Sequence, residues 1–407
     1  MTGDAAVVAE PRARRHPLRP ALAVGVVYLL ARLVTTTFLL VGAALADSRF
    51  GNGATIGSLS MRWDGQWYWV VATMGYPAEL PLDDAGDVAQ NAWAFMPVYP
   101  WISRGLSFVL GGQYPLAAIV VSVVAGYLAC LVLFHVLTER IDRTAAVWAV
   151  ALFAAGPLAA LFQMGYAESL FLLWLLLALL LLVRRRFGWL YLLIPLMGYT
   201  RPGVLAFALL LALYGIHRAL RRRDDPLPTT QIAHIITLGL LAAAVGFSWQ
   251  VIAGVVTGDP SAYLDTELSW RRGWTGDGEG RFVPFEGFAQ ASAIWFRLWG
   301  LPEAAGYIAP GLLVAAIAAL LLWERHVRAL GVEIRLWSAS YVVYLLLVFF
   351  PQSSIFRLLL PLAPLYGALA LPRSTVWRVS MLSLGLLGQW WWIHEMLVDG
   401  TSFTQIP

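Results

Sequence analysis

The sequence has no lysine, a single cysteine and few charged residues for its length. Because Cys130 is the only cysteine, an intramolecular disulfide and a cysteine-rich metal site are both excluded. Charged residues make up 13% of the 407 residues, whereas soluble domains contain roughly 25%. The chain also lacks a Walker pattern, a glycine-rich loop after a strand and a cluster of metal-ligating side chains. We therefore expect no nucleotide cofactor and no metal site.

Apolar residues take up most of the chain instead. They account for 59% of the residues, and the mean hydropathy is +0.70. Runs of about 20 apolar residues recur from end to end, which is the length that crosses a bilayer as a helix. The pattern predicts an all-α polytopic membrane protein with membrane lipids around it. The net charge of +4 does not indicate a nucleic-acid partner, because the arginines cluster in short segments between the runs.

The apolar runs predict about eleven transmembrane helices in one domain, residues 21–395. The candidate spans lie near residues 21–46, 114–137, 144–162, 168–183, 188–200, 203–217, 231–256, 304–323, 336–350, 356–371 and 376–395. With residues 1–20 as a cytoplasmic tail, the basic connectors "TERIDR", "RRRF", "HRALRRRDD", "ERHVR" and "PRSTVWR" all fall on the cytoplasmic side. This arrangement follows the positive-inside rule.

The other side of the membrane is predicted to carry two long loops. These are residues 48–113 and 257–303, both rich in Trp, Gly, Pro and acids, and the tail 396–407 lies on the same side. Loops of this length are usually functional or disordered, and their aromatic content argues against disorder. We expect the functional site on this extracytoplasmic face.

A lone acid, Asp64, stands among the aromatic residues of the first loop. From Ser60 onward, large apolar side chains recur at helical spacing up to Met74, so the pattern predicts an amphipathic helix in the bilayer interface. Asp64 would lie in its first turn. There it could simply complement the helix dipole, which contributes about 0.3–1 kcal/mol, or it could carry out chemistry.

The stretch "RWDGQWYWVVATMGYP", residues 62–77, resembles the first-loop motif of the PIG-V-like mannosyltransferases, which are GT-C membrane glycosyltransferases. Further motifs follow in the family's order over residues 60–366. "FMPVYP", "GYAESLF", "GYTRPGV" and "IFRLLLPLAPLY" resemble its Phe-Pro-Leu-Tyr-Pro, Tyr-Ser-Glu-Ser-Leu-Phe, Arg-x-x-Gly and C-terminal Arg-and-Pro elements. The chain departs from the family where Gln66 and Trp67 replace a histidine or similar polar residue, which puts the choice of acceptor in doubt.

The resemblance implies a GT-C-like fold and an inverting sugar transfer. The implied donor is polyprenyl-phosphate-mannose, and the acceptor is a lipid or glycan on the outer face of a bacterial plasma membrane. Asp64 is implied as the catalytic base, which takes the proton of the acceptor hydroxyl. We expect Arg62, Trp63 and Gln66, which flank Asp64, to bind substrate.

Two arginines are candidates for the donor phosphate. Arg201 precedes Pro202-Gly203, where a helix is predicted to break on the extracytoplasmic side. Arg357 lies at the extracytoplasmic start of a predicted span. A guanidinium matches phosphate oxygens, and arginine at membrane depth is a functional hypothesis by default. Snorkelling, or pairing with Glu168, would be the structural alternative. Glu168 could complement a helix dipole, or it could bind substrate as a second acid.

Other functions fit the same features. A transporter or flippase of a lipid-linked sugar could line its pathway with these charges, although repeated halves with broken helices are expected there. A GT-C enzyme that uses an arabinose or glucose donor, or an inactive scaffold, is also compatible with the sequence.

Overall fold

The computed structural model describes residues 18–46, 54–275, 282–398, 400 and 403–407. Residues 1–17 of the predicted cytoplasmic tail lie outside the described residues, as do residues 47–53 and 276–281 of the two loops. Residues 399, 401 and 402 of the C-terminal tail also lie outside them.

Helices dominate the described residues, where the only β-type pairing is one isolated bridge between Leu82 and Val88. The helices are α1 Leu18–Leu45, α2 Ile56–Ser60, α3 Asp64–Thr73, α4 Val98–Val109, α5 Tyr114–Thr138, α6 Arg143–Ala154, α7 Glu168–Val183, α8 Leu190–Gly198, α9 Val204–Leu220, α10 Thr229–Thr257, α11 Ala262–Thr275, α12 Glu286–Leu298, α13 Glu303–Trp323, α14 Arg325–Ala329, α15 Val332–Val348, α16 Ile355–Leu358, α17 Tyr366–Ala370 and α18 Thr375–Trp392. Short 3₁₀ segments occur at Ala92–Ala94, Ala159–Gln163, Phe187–Trp189, Leu360–Leu365 and Phe403–Gln405, and a π-helical turn at Ile393–Val398.

Within the part of the chain that the structure describes, four helices are long and apolar enough to cross a membrane. They are Pro20–Leu45, Tyr114–Thr138, Thr229–Thr257 and Glu303–Trp323. Large apolar side chains on their outer faces are exposed, as lipid contact requires. The predicted all-α class is confirmed for the described residues, and every predicted span falls on helical segments. The remaining helices are shorter, so the number of eleven spans stays a prediction.

The predicted span 144–162 is not one continuous helix. α6 ends at Ala154, and a 3₁₀ turn resumes at Ala159. The cause is Pro157, which cannot donate a backbone hydrogen bond inside a helix. Arg32 of α1 satisfies the freed carbonyls, because its guanidinium donates to the oxygens of Ala154 and Ala159 at 2.5 and 2.6 Å. Arg32 is thus a buried structural charge, as its place in the first span suggests.

The predicted span 356–371 is broken as well. It comprises α16, the 3₁₀ segment Leu360–Leu365 and α17. Pro361 and Pro364 prevent a regular α-helix here. Side chains of α15 take up two of the freed carbonyls, since Tyr341 Oη donates to Leu358 O and Trp337 Nε1 donates to Pro361 O, both at 2.8 Å.

Contacts between loops place the two long loops at the same end of the helical bundle. Trp270 of the second loop packs edge-on against Trp67 and Phe95 of the first, at ring-centroid distances of 5.9 and 6.1 Å. Asn91 Nδ2 also donates to Thr266 Oγ1 at 2.8 Å. Which side of the membrane this end faces stays a prediction.

Basic connectors meet at a second end. Arg184 pairs with Glu139 at 2.7 Å, and Arg185 pairs with Asp225 at 2.6 Å, so the first three connectors touch one another. Such exposed pairs contribute little to stability, about 0–1 kcal/mol each. They nevertheless show that segments predicted to share one side of the membrane are neighbours in space.

The predicted interfacial helix of the first loop is different in the structure. α2 ends at Ser60 and α3 begins only at Asp64, so no continuous helix runs from Ser60 to Met74. Of the predicted stripe Trp63, Trp67, Val70, Val71 and Met74, only Val71 is fully buried, and Met74 is exposed. Tyr68, outside the stripe, is buried beside Val71. Tyr68 packs against Phe95 and Tyr99 of the same loop. These tertiary contacts, which sequence periodicity does not record, decide which face is covered.

α7 lies at the centre of the bundle. Its residues are buried on nearly every side, as expected for a helix that is apolar all round. Its first residue is Glu168, a charge at the buried start of this central helix. The site described below is built around that residue.

Candidate functional site

A sharp turn of the chain presents Asp64. The residue before it, Trp63, has a φ of +53°, which is a costly conformation for a residue with a side chain. The residue after it must be glycine, because a Cβ at Gly65 would lie 2.4 Å from the carbonyl oxygen of Ser60. The short sequence Trp-Asp-Gly therefore forces α3 to begin at Asp64.

Arg357 joins Asp64 to Glu168. Its Nη1 forms an ion pair with Asp64 Oδ2 and lies 3.3 Å from Glu168 Oε1. The three side chains come from α16, α3 and α7, and Asp64 and Arg357 are separated by 293 positions in the sequence. Only 11% of the Arg357 side chain and 18% of the Asp64 side chain are exposed.

Arg201 completes the group by pairing with Glu168 through Nη1 and Oε1. The Glu168 side chain is 2% exposed, so two guanidinium groups offset one deeply buried carboxylate. Arg201 reaches it from the turn between α8 and α9, where Pro202 and Gly203 follow and Gly203 has a φ of +139°. We call Asp64, Arg357, Glu168 and Arg201 the charge cluster.

Several polar atoms around the charge cluster have no hydrogen-bond partner among the described residues. They include Glu168 Oε2, Arg357 Nε and Trp63 Nε1, all buried. Buried polar atoms normally have partners, so such atoms call for an explanation. Two donors and one acceptor next to a cluster of charges are suited to a polar ligand.

The structure gives Arg62 a contact outside the charge cluster. Its guanidinium donates to the carbonyl oxygens of Leu397, Val398 and Gly400, the last two at 3.2 and 2.6 Å. Arg62 therefore ties the first loop to the C-terminal segment. Its predicted role in substrate binding stays a prediction, as does that of Gln66, which is exposed in the first turn of α3.

The alternative roles of the two acids remain visible in the structure. Asp64 and Glu168 both lie in the first turn of a helix, where a carboxylate complements the dipole. The residues before the two acids, Trp63 and Ala167, make no side-chain hydrogen bond that caps either helix. Both carboxylates also pair with Arg357, which a dipole role alone does not require.

Sequence reasoning missed Glu267, a half-buried acid of α11 in the second loop. Burial raises the pKa of Glu267 to about 7, a hydrogen bond from the Tyr263 hydroxyl opposes that rise, and the negative charge of Asp64 adds to it. The signal was present in "YLDTELSW", where Glu267 stands one helical turn from both Tyr263 and Trp270. It could not be interpreted without knowing that α11 lies beside Asp64.

A large apolar cavity adjoins the charge cluster. It has a volume of about 1110 Å³, and Phe356, Leu359 and Leu360 form part of its wall. Leu360 also lines a narrow gap beside Glu168, Arg201 and Arg357, which is too small to hold a water molecule. Other parts of the wall come from α13, α14, α17 and α18, including Trp377 and Trp391.

No cluster of three or more metal-ligating side chains occurs in the described parts of the chain. The sequence matches no protein family and no curated protein.

Several solved structures are similar in shape at low sequence identity. ArnT from Cupriavidus metallidurans bound to undecaprenyl phosphate is 15% identical, with a TM-score of 0.49, and the match covers 88% of this chain and 62% of ArnT. The Archaeoglobus fulgidus oligosaccharyltransferase AglB, in complex with an inhibitory peptide and a dolichol-phosphate, is 12% identical with a TM-score of 0.48, covering 94% and 56%. An oligosaccharyltransferase from the same organism, complexed with Zn and sulfate, is 14% identical with a TM-score of 0.46, covering 92% and 52%.

The chain thus spans between half and two thirds of the length of these structures. With TM-scores below 0.5 they establish no family for this chain.

Proposed function

We propose that this chain is a membrane glycosyltransferase that moves a sugar from a polyprenyl phosphate to an acceptor hydroxyl. The observation that carries the proposal is the charge cluster itself. Four of the residues singled out in the sequence, from four separate motifs, meet in one buried group. The resemblance to PIG-V-like enzymes favours mannose as the sugar and the extracytoplasmic face of a bacterial plasma membrane as its place.

The chemistry assigns a role to each member of the cluster. Asp64 takes the proton of the acceptor hydroxyl while the acceptor oxygen forms a bond to the anomeric carbon. The bond from that carbon to the phosphate oxygen breaks, and the electron pair stays with the polyprenyl phosphate. Arg357 and Arg201 stabilise the phosphate through charge-assisted hydrogen bonds, and Glu168 holds the two guanidinium groups in place.

The adjoining apolar cavity supports a lipid-linked donor. Its wall reaches Leu360, which also faces the narrow space beside Arg357 and Arg201. In the proposed complex the donor phosphate lies at the arginines, and its apolar chain passes Leu360 into the cavity. Burial of such a chain contributes about 0.8 kcal/mol per CH₂ group. A water-soluble nucleotide sugar has no apolar chain that would fill this cavity.

The proposal is tested with purified protein in lipid vesicles. Radiolabelled polyprenyl-phosphate-mannose is added together with a lipid and glycan extract of bacterial membranes, and the labelled product is identified. We expect a mannosylated product from the wild type, and turnover about 10²–10⁴-fold lower for Asp64→Asn. If the intact donor moved from one leaflet of the vesicle membrane to the other and no product formed, the protein would instead be a flippase.

Two further measurements make the Asp64→Asn result specific. Donor binding by the variant is compared with donor binding by the wild type. Asp64→Asn also removes an ion-pair partner of Arg357, so it affects binding of the donor phosphate as well as proton transfer. Thermal stability is measured on the same sample. If Asp64 only complemented a helix dipole, stability would fall by less than about 1 kcal/mol and turnover would stay near normal.

A further inference from the structure

The second loop brings a helix, α11, onto the site. Its docking is specific, because Trp270 packs against Trp67 one turn beyond Asp64, and Gln352 Nε2, five residues before Arg357, donates to the carbonyl oxygen of Trp270 at 3.2 Å. Glu267 lies one turn before Trp270 on the same helix and therefore on a similar face.

The surroundings of Glu267 differ from those of the other two acids. Tyr263 stands one helical turn before it on α11, and Asp64 and Tyr344 are the other titratable groups that act on it, from α3 and α15. In the described parts of the chain no cation pairs with it. The two arginines of α11 have other partners. Arg271 donates a hydrogen bond to Gln290. Arg272 pairs with Asp87 and donates to the carbonyl oxygen of Val88.

We propose that Glu267 is an acceptor-binding carboxylate, which accepts a hydrogen bond from a hydroxyl of the acceptor and holds it beside Asp64. Polyhydroxylated molecules suit such a place, because a carboxylate accepts hydrogen bonds from hydroxyl groups and the rings of Trp67 and Trp270 offer an apolar surface beside it. The acceptor class that follows is a glycan or glycolipid. This inference rests on the proposed function.

The role requires Glu267 to be ionised. A protonated carboxyl group has fewer acceptor sites and no negative charge, so it binds a hydroxyl more weakly. Because burial and Asp64 raise the pKa of Glu267 to about 7, acceptor binding should weaken as the pH falls through that value. Donor binding at Arg357 and Arg201 should not follow the same curve.

The experiment measures apparent acceptor and donor KM against pH, with radiolabelled polyprenyl-phosphate-mannose and stepwise dilutions of the membrane extract as probes. For wild type we expect the acceptor KM to rise below about pH 7. Glu267→Gln should raise the acceptor KM by about 10- to 100-fold at pH 8 and remove the pH dependence, while the donor KM stays unchanged. Glu267→Asp, which keeps the carboxylate, should recover part of the binding above pH 7.

Asp265→Asn is the matched control. Asp265 lies on the same helix, but its carboxylate accepts a hydrogen bond from Ser261 and not from Tyr263. This variant should keep the wild-type acceptor KM and pH profile. If Glu267→Gln behaves like Asp265→Asn while the wild type transfers sugar, the role of Glu267 is refuted and the proposed function stands. If the wild type transfers no sugar, the proposed function fails, and the role of Glu267 fails with it.

Discussion

At the scale of single residues, Glu168 combines almost complete burial with a full negative charge. Arg201 and Arg357 both approach the same oxygen, Oε1. Removing one partner of a buried pair leaves a charge without compensation and costs about 3–5 kcal/mol, whereas replacing both partners with neutral groups is often tolerated. The stability and the function of this pair can therefore be separated experimentally.

We predict that Arg201→Met lowers the free energy of unfolding by about 3–5 kcal/mol, because Glu168 loses one of its two cations. The double variant Glu168→Gln/Arg201→Met should recover most of that loss, which chemical denaturation of both proteins would measure. Sugar transfer should stay low in both variants if Arg201 binds the donor phosphate. Wild-type donor KM and turnover in the double variant would show that the pair is purely structural.

Glu267 gives a second prediction, on stability and pH. Its pKa is raised in the folded protein, to about 7 from an ordinary value near 4.5, so between these values the folded state binds more protons than the unfolded state. Stability should therefore fall as the pH rises from about 4.5 to about 7, by at most about 3–4 kcal/mol from this group, and by less because Glu267 is only half-buried. Glu267→Gln removes the effect and should be more stable than wild type at pH 8. Denaturation curves of both proteins at pH 5 and pH 8 test this, and parallel pH dependence in the two would contradict it.

At the scale of elements, the turn before α3 fixes the position of Asp64. We predict that Gly65→Ala lowers turnover at least about 10-fold and destabilises the protein by about 1–3 kcal/mol, because the new Cβ would overlap the Ser60 carbonyl and displace the turn. Gly105→Ala is the matched control, since a Cβ there meets nothing within 4 Å in the middle of α4. It should leave turnover unchanged and stability equal or slightly higher. Equal effects of the two substitutions would mean that the turn does not position Asp64.

α4 is an element whose exposed face is apolar. Tyr99 and Ser103 are buried, while Trp101, Ile102 and Phe108 point outward. A helix of this kind lies in the membrane interface with its apolar face about 5–10 Å deep. We therefore predict that α4, rather than α3, is the interfacial helix of the first loop.

The assignment of α4 predicts a labelling result. In a Cys130→Ala background, a fluorophore attached to Phe108→Cys should be quenched by lipids that carry a quencher. The same fluorophore on Asp84→Cys, an exposed position of the same loop, should respond mainly to a water-soluble quencher. Equal quenching at both positions would place α4 away from the membrane.

At the scale of the whole molecule, the two long loops contact each other at one end, and the second basic connector contacts the first and the third. The positive-inside rule then predicts that the end with the connectors is cytoplasmic. In the Cys130→Ala background, Asp84→Cys should react with an impermeant maleimide in intact cells. Arg222→Cys, in the third connector, should react only after lysis. The reverse pattern would invert the whole arrangement and place the charge cluster inside the cell.

The sequence alone determined the helical class, the approximate position of most helices and the identity of the two acids and two arginines that meet in the charge cluster. These features are local, since helix length follows from an apolar run and a motif residue is recognised from its neighbours. Even the breaks at Pro157 and Pro361 have a local cause that the span predictions overlooked.

Only the tertiary structure decided which charges face each other. Arg357 reaches Asp64 across 293 positions, and Arg62 contacts the C-terminal segment although it stands two residues from Asp64. Glu267 becomes part of the site solely because α11 packs on the first loop. Ion pairs and the burial that shifts a pKa depend on distances in space, and a sequence records only the order of residues along the chain.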